Sequence, residues 1–174
     1  MINEDDQPLP QVRLYTSVGE FLIELYPDRA PVSVQNFLEY VKNGFYDNTL
    51  FHRVVDNFIV QCGGFEPGMI QKTTRAPIEN ESGNGLLNQR GTVAMARLPT
   101  DPDSATSQFF INTRDNSILD YFADTPDGRG YCVFGSVIEG MEVVERIEGA
   151  PTRTVGEHND VPLKDIVLQR AQLL

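Results

Sequence analysis

Residues 11–26, QVRLYTSVGEFLIELY, alternate between apolar and polar positions, with Phe21, Ile23 and Leu25 on one side of a strand and Gly19 in the turn before it. This pattern predicts an opening hairpin. In APVSVQNFLEYVKNGFY the period changes: Val34, Phe37, Leu38 and Val41 form a stripe at helical spacing, Pro31 suits the first turn and Gly44 the stop, predicting one helix of about 13 residues. Short apolar runs at 51–55, 59–63, 92–96, 108–112, 131–137 and 165–171, divided by Gly, Pro, Asn and Asp, read as strands. GMEVVERIEG places Met141, Val144 and Ile147 on one face between two glycines and predicts a second helix. Two helices against about eight strands make the chain mainly β, a barrel or a sandwich.

The stretches 64–91 and 97–107 lack periodicity but are embedded between strands, so they read as loops that shape a binding surface rather than as linkers. There is no internal repeat and no domain boundary. At 174 residues a single domain is expected, large enough to bury about two thirds of its unfolded surface, with residues 1–10 a flexible N-terminal extension.

Charge narrows the partners. The 14 Lys and Arg against 25 Asp and Glu give a net charge of −11, and no basic cluster awaits a phosphate backbone, which argues against nucleic acid. No run approaches the roughly 18 apolar residues of a membrane span, and the acidic, polar start MINEDDQPLPQ is unlike a signal peptide. The expected location is the cytoplasm. Cys62 and Cys132, without C-x-x-C spacing, fit a reducing compartment and read as packing residues. The sequon Asn80-Glu81-Ser82 then reads as a polar loop.

Familiar catalytic constellations are missing. Neither His52 nor His158 lies beside a G-x-S-x-G elbow, no paired spacing suggests zinc, and ESGNGLLNQRG lacks the ending of a phosphate loop. His52 reads as a hydrogen-bonded structural histidine. The unexplained feature is FHRVVDNFIVQCGG, residues 51–64, where Arg53 and Gln61 interrupt two apolar strands. Taken alone, Arg53 is an arginine whose stem covers apolar neighbours, and Gln61 and Gln108 are solvated strand positions.

At FHRVVDNFIVQCGGFEPGM, GTVAMAR, SATSQFFIN and YCVFGSVIEGMEVVERI, in that order, the chain resembles the cyclophilin family of peptidyl-prolyl cis/trans isomerases, from about Val12 to Gln169. GGFEPGMIQK, YCVFG and HNDVP are similar to its short cytoplasmic branch in Gram-negative bacteria. The resemblance implies a closed eight-stranded antiparallel β-barrel capped by two α-helices, isomerisation of X-Pro bonds during protein folding, and no metal or cofactor. It puts catalysis on Arg53, Gln61, Phe58 and Phe110. It puts substrate binding on Ile59, Ala96, Arg97 through its backbone, Gln108, Ile118, Leu119 and Tyr131. Proline-containing peptides and unfolded proteins are the implied partners. Ile118 replaces a tryptophan that donates a hydrogen bond to cyclosporin, so weak cyclosporin binding is expected; Tyr131 replaces a groove histidine, and Ile59 a common methionine. A closed barrel leaves no free sheet edge, so a monomer is expected. The competing reading is a proline-segment-binding module or chaperone in which turnover is incidental.

The register of the hairpin decides whether the polar pair can meet. A two-residue loop, Asp56-Asn57, puts Arg53 opposite Val60, whereas a three-residue loop that takes in Phe58 puts Arg53 opposite Gln61. The second register is predicted, with His52, Val54 and Val60 facing inward. Phe109 and Phe110, adjacent in one strand, must face opposite sides, one into the core and the other toward a groove.

Overall fold

The computed structural model describes residues 7–174, so the first six residues of the expected N-terminal extension lie outside the described part. The opening hairpin forms from β1 (Gln11–Thr16) and β2 (Gly19–Leu25). Pro31 starts α1 (Pro31–Lys42), which buries Val34, Phe37, Tyr40 and Val41; Tyr40 takes the place expected for Leu38, which is only partly buried. Then come β3 (Thr49–Leu50), β4 (Arg53–Val55), β5 (Ile59–Cys62), β6 (Phe65–Glu66), β7 (Ile70–Gln71), β8 (Thr92–Met95) and β9 (Phe109–Asn112). A 3-10 turn (Ser117–Leu119), β10 (Val133–Glu139), α2 (Met141–Glu148), β11 (Thr152–Val155), β12 (His158–Pro162) and β13 (Val167–Leu173) complete the chain.

Nine strands pair antiparallel in the order β3-β13-β1-β2-β10-β8-β9-β5-β4, a curled half-barrel; β6–β7 and β11–β12 are separate ribbons. The expected closed eight-stranded barrel is therefore corrected. The end strands β3 and β4 are successive pieces of one segment, split only by Phe51 and His52. Leu50 pairs with Val167 on one side while Arg53 pairs with Gln61 on the other. The two ends meet only through Phe51 and His52, which lie in no strand, so the ladder is interrupted there. The monomer expectation loses its argument from closure, although both edges are very short and β12 runs beside β4, which blunts pairing with a second chain.

The sheet has two apolar faces of unequal size. Its concave side holds the core, where Phe37, Tyr46, Phe109 and Phe134 meet with ring centroids 5.2–5.3 Å apart and both helices contribute their apolar faces. Each such fully buried side chain contributes about 1.5–3 kcal/mol. The outer side carries a small cluster of Ile59, Ala94, Phe110 and Val133, with Phe58, Leu86, Ala96, Leu119 and Tyr131 packed against it. Phe109 and Phe110 thus face opposite sides.

β11–β12 was not expected from the pattern because its first strand is exposed at Thr152, Arg153 and Thr154 and carries no apolar alternation. Its His158 stacks on Phe65, 5.0 Å between ring centres, and Phe65 stacks on His52 at 4.6 Å. His52 is buried as expected of a structural residue, but its Nδ1 has no hydrogen-bond partner among the described residues. Burial, together with the nearby His158 and Arg53, lowers its pKa from 6.5 to about 4, outweighing a backbone hydrogen bond that acts the other way. Cys62 and Cys132 are both buried, which raises each thiol pKa, for Cys132 to about 11. Little thiolate exists there at neutral pH. Asn80 of the sequon is also buried, its Nδ2 donating to Gly130 O at 3.2 Å. Among the described residues, no helix is long and apolar enough to cross a membrane.

Candidate active site

The hairpin adopts the three-residue loop. Arg53 pairs with Gln61, Val54 with Val60 and Val55 with Ile59, while Phe58 N donates to Val55 O at 3.1 Å. Asn57 takes φ +55°, a left-handed conformation that asparagine tolerates better than most residues. His52, Val54 and Val60 are buried inward, and Arg53 and Gln61 share the outer face. Arg53 Nη1 donates to Gln61 Oε1 at 3.4 Å, a long bond that leaves most of the guanidinium uncommitted. The amide of Gln61 donates in turn to Gln108 Oε1 at 2.9 Å. Gln108 fits there because the neighbouring residue is Gly64, where a Cβ would stand 2.5 Å from Gln108 Nε2.

Beside this polar ladder lies a cavity of about 420 Å³. Phe58, Ile59, Phe110, Leu119 and Tyr131 supply its apolar wall, and Arg53, Gln61, Ala96 and Arg97 its remaining sides. Gln108 lines an adjoining cavity of about 360 Å³ that shares Gln61, Ala96 and Arg97 and adds Gln71, Ser104 and Thr106. Ile118 is the outlier: it stands on the 3-10 turn, 74% exposed, outside the lining of both. Arg97, expected to contribute its backbone, borders both cavities, and its side chain is bonded to the carbonyls of Leu98, Pro99, Pro126 and Gly130. Among the described residues, neither Arg53 nor Arg97 has a carboxylate within ion-pair distance.

Sequence reasoning missed what holds the wall. Asn88, Asn112 and Asn116 are almost fully buried and bonded in series: Asn112 Nδ2 donates to Asn88 Oδ1 at 3.0 Å, and Asn116 Nδ2 to Asn112 Oδ1 at 2.9 Å. Asn116 Nδ2 also donates to Phe58 O at 2.9 Å, and Asn88 Nδ2 donates to Leu119 O and Tyr131 O at 3.1 and 3.2 Å. Three separated pieces of the wall thus hang on one amide network. The available signal was Asn112 itself, a polar residue closing the apolar strand FFIN. Pro99, which also lines the main cavity, gave no such signal.

The profile of the family described as cyclophilin type peptidyl-prolyl cis-trans isomerase/CLD matches residues 11–173. The chain belongs to the cyclophilin family of peptidyl-prolyl cis-trans isomerases. It is 51% identical over 158 residues to peptidyl-prolyl cis-trans isomerase B of Escherichia coli, covering 91% of this chain and 96% of that one. It is 52% identical to isomerase cyp18 of Streptomyces antibioticus, covering 94% of this chain and 98% of the relative. A crystal structure of a cyclophilin-type isomerase from Cryptosporidium parvum matches with a TM-score of 0.81 at 27% identity, over 95% of this chain and 98% of that one. A second structure of that protein, with a TM-score of 0.80 and 27% identity over 94% and 98% of the two chains, was obtained in the presence of the dipeptide Ala-Pro. The chain is thus a cyclophilin-type isomerase with a mainly β fold, from a family whose members bind proline-containing peptides.

Proposed function

We propose that this cyclophilin accelerates X-Pro rotation by enclosing the proline ring in the cavity of Phe58, Ile59, Phe110, Leu119 and Tyr131 while Arg53 donates a hydrogen bond to the twisted amide nitrogen. The problem for such an enzyme is kinetic: the barrier is about 18–20 kcal/mol, whereas cis and trans X-Pro differ by about 0.5–1 kcal/mol. No bond is made or broken. A planar amide is strongly dipolar and well solvated by water, and twisting removes most of that dipole, so an apolar enclosure favours the twisted form relative to the planar one.

Twisting also makes the nitrogen pyramidal and returns its lone pair, which can then accept a hydrogen bond. A donor aimed there binds the transition state alone. The observation that carries this reading is the partly committed guanidinium of Arg53, held beside the apolar cavity by Gln61 and unpaired with any carboxylate among the described residues. One charge-assisted bond is worth about 1.5–3 kcal/mol, or roughly 10- to 150-fold in rate. Gln61, itself fixed by Gln108, keeps the fork aimed. Ala96, Arg97 and Gln108 border the adjoining cavity, where we place the residues before the proline.

The substrates we infer are X-Pro bonds in flexible or unfolded chains of the cytoplasm, handled by a monomer. Cyclosporin binding is expected to be weak, because Ile118 offers no side-chain donor. The test is cis/trans exchange of a short X-Pro peptide: the wild type accelerates it, and Arg53→Ala loses about 10- to 150-fold in kcat/KM. Peptide binding with equal exchange rates in both proteins would instead indicate a proline-binding module.

A further inference from the structure

Arg97 does more than its neighbours at the mouth of the cavity. Its Nε donates to Gly130 O at 2.8 Å, its Nη1 to Leu98 O and Pro99 O at 2.9 and 3.3 Å, and its Nη2 to Pro126 O at 3.1 Å. The guanidinium also lies over the ring of Tyr131, 4.6 Å from its centre. Tyr131 in turn meets Phe110 edge-on, with ring centres 5.7 Å apart at 73°. Four of five guanidinium donors are therefore spent on carbonyls of two segments, 98–99 and 126–130, that are far apart in sequence.

We propose that Arg97 is a positioning residue for isomerisation, a strut that clamps these two segments together and presses Tyr131 onto Phe110, setting how closely the proline ring is enclosed. The proposal rests on the reading of the cavity given above. Three features favour it over a purely electrostatic role. The charge faces no carboxylate among the described residues, so ion pairing does not explain its placement. The plane of the guanidinium is used on both its edge and its face, which a lysine ammonium cannot reproduce. The wall it holds is already tight: Gly130 has φ +64°, a Cβ there would stand 2.6 Å from Leu119 O, and Tyr131 N donates to that same carbonyl at 2.9 Å.

Loosening this wall weakens contact with the proline ring in the planar and twisted states alike, so the larger loss falls on KM, with a smaller loss in kcat from admitted water. The experiment measures kcat, KM and melting temperature for wild type, Arg97→Ala, Arg97→Lys, Tyr131→Leu and the Arg97→Ala/Tyr131→Leu double variant on one X-Pro peptide. Arg97→Ala is expected to raise KM about 10-fold while kcat stays within about threefold. Arg97→Lys is expected not to rescue it, and the double variant to be no worse than Tyr131→Leu. A KM within twofold of wild type, rescue by lysine, or additive losses in the double variant would overturn the role of Arg97. If Arg97→Ala does not fold, Arg97→Lys decides alone, and a wild-type KM there overturns the proposal. An Arg53→Ala control with wild-type turnover would defeat the catalytic reading, which is separable from an unaltered KM in the Arg97 variants.

Discussion

Two arginines face one cavity, separated in the sheet by β5 and β9, and they are held in opposite ways. Among the described residues Arg53 has a single long bond, to Gln61 at 3.4 Å, whereas Arg97 spends four donors on carbonyls and stacks on Tyr131. In the proposed mechanism the contrast separates two tasks that one residue type can perform. A donor meant for an atom that accepts only in passing must keep free N–H groups. A strut must spend nearly all of them. The polar ladder Arg53–Gln61–Gln108 and the apolar wall from Phe58 to Tyr131 divide along the same line.

The strongest way to break the contrast is on the wall. Phe110 is 2% exposed, joins the outer cluster and touches Tyr131, so Phe110→Ala is expected to lower stability by about 3–5 kcal/mol and kcat/KM by more than about 100-fold. Melting and peptide exchange check both, and a stable, fully active variant would refute the wall as drawn. Next in size is the seam behind Arg53. His52 has a native pKa of about 4 against an ordinary 6.5, so the unfolded chain binds more protons between those values. Stability is therefore fully present above about pH 6.5 and falls by up to about 3 kcal/mol as the pH drops to 4. Denaturant midpoints across that range should show this slope, and His52→Phe, if tolerated, should flatten it.

The smallest effect sharpens the ladder. Gly64→Ala would force Gln108 aside and release its bond to Gln61, so kcat is expected to fall about three- to tenfold with little change in melting temperature. Unchanged kcat would show that Gln61 needs no support from Gln108. The first and last outcomes test whether the two sides of the cavity carry separate tasks.

The ladder was legible in part. Turn length and strand period left two registers, and the pairing of Arg53 with Gln61 implied by the resemblance singled out the one observed, while the two-residue period alone sent Phe109 and Phe110 to opposite faces. The wall was legible only in part. Leu119 and Tyr131 are held by Asn88, and Phe58 by Asn116, through bonds that span 31 to 58 residues between aperiodic loops. No periodicity encodes such contacts. The side-chain role of Arg97 escaped for the same reason, since its most distant partner is Gly130, 33 residues away. The closed barrel was an expectation of family resemblance, and it failed between β3 and β4, where Phe51 and His52 lie in no strand and interrupt the ladder. Ile118 was expected in the groove because of the position it occupies, but its side chain projects into solvent.

The central claim is that Arg53 binds the twisted amide and not the planar one. It is tested most directly by saturating wild type and Arg53→Ala with the same X-Pro peptide, measuring the exchange rate of the bound peptide and, separately, its Kd. The account predicts that bound exchange slows about 10- to 150-fold in Arg53→Ala while Kd changes less than about threefold. A weakened Kd with undiminished bound exchange would contradict it.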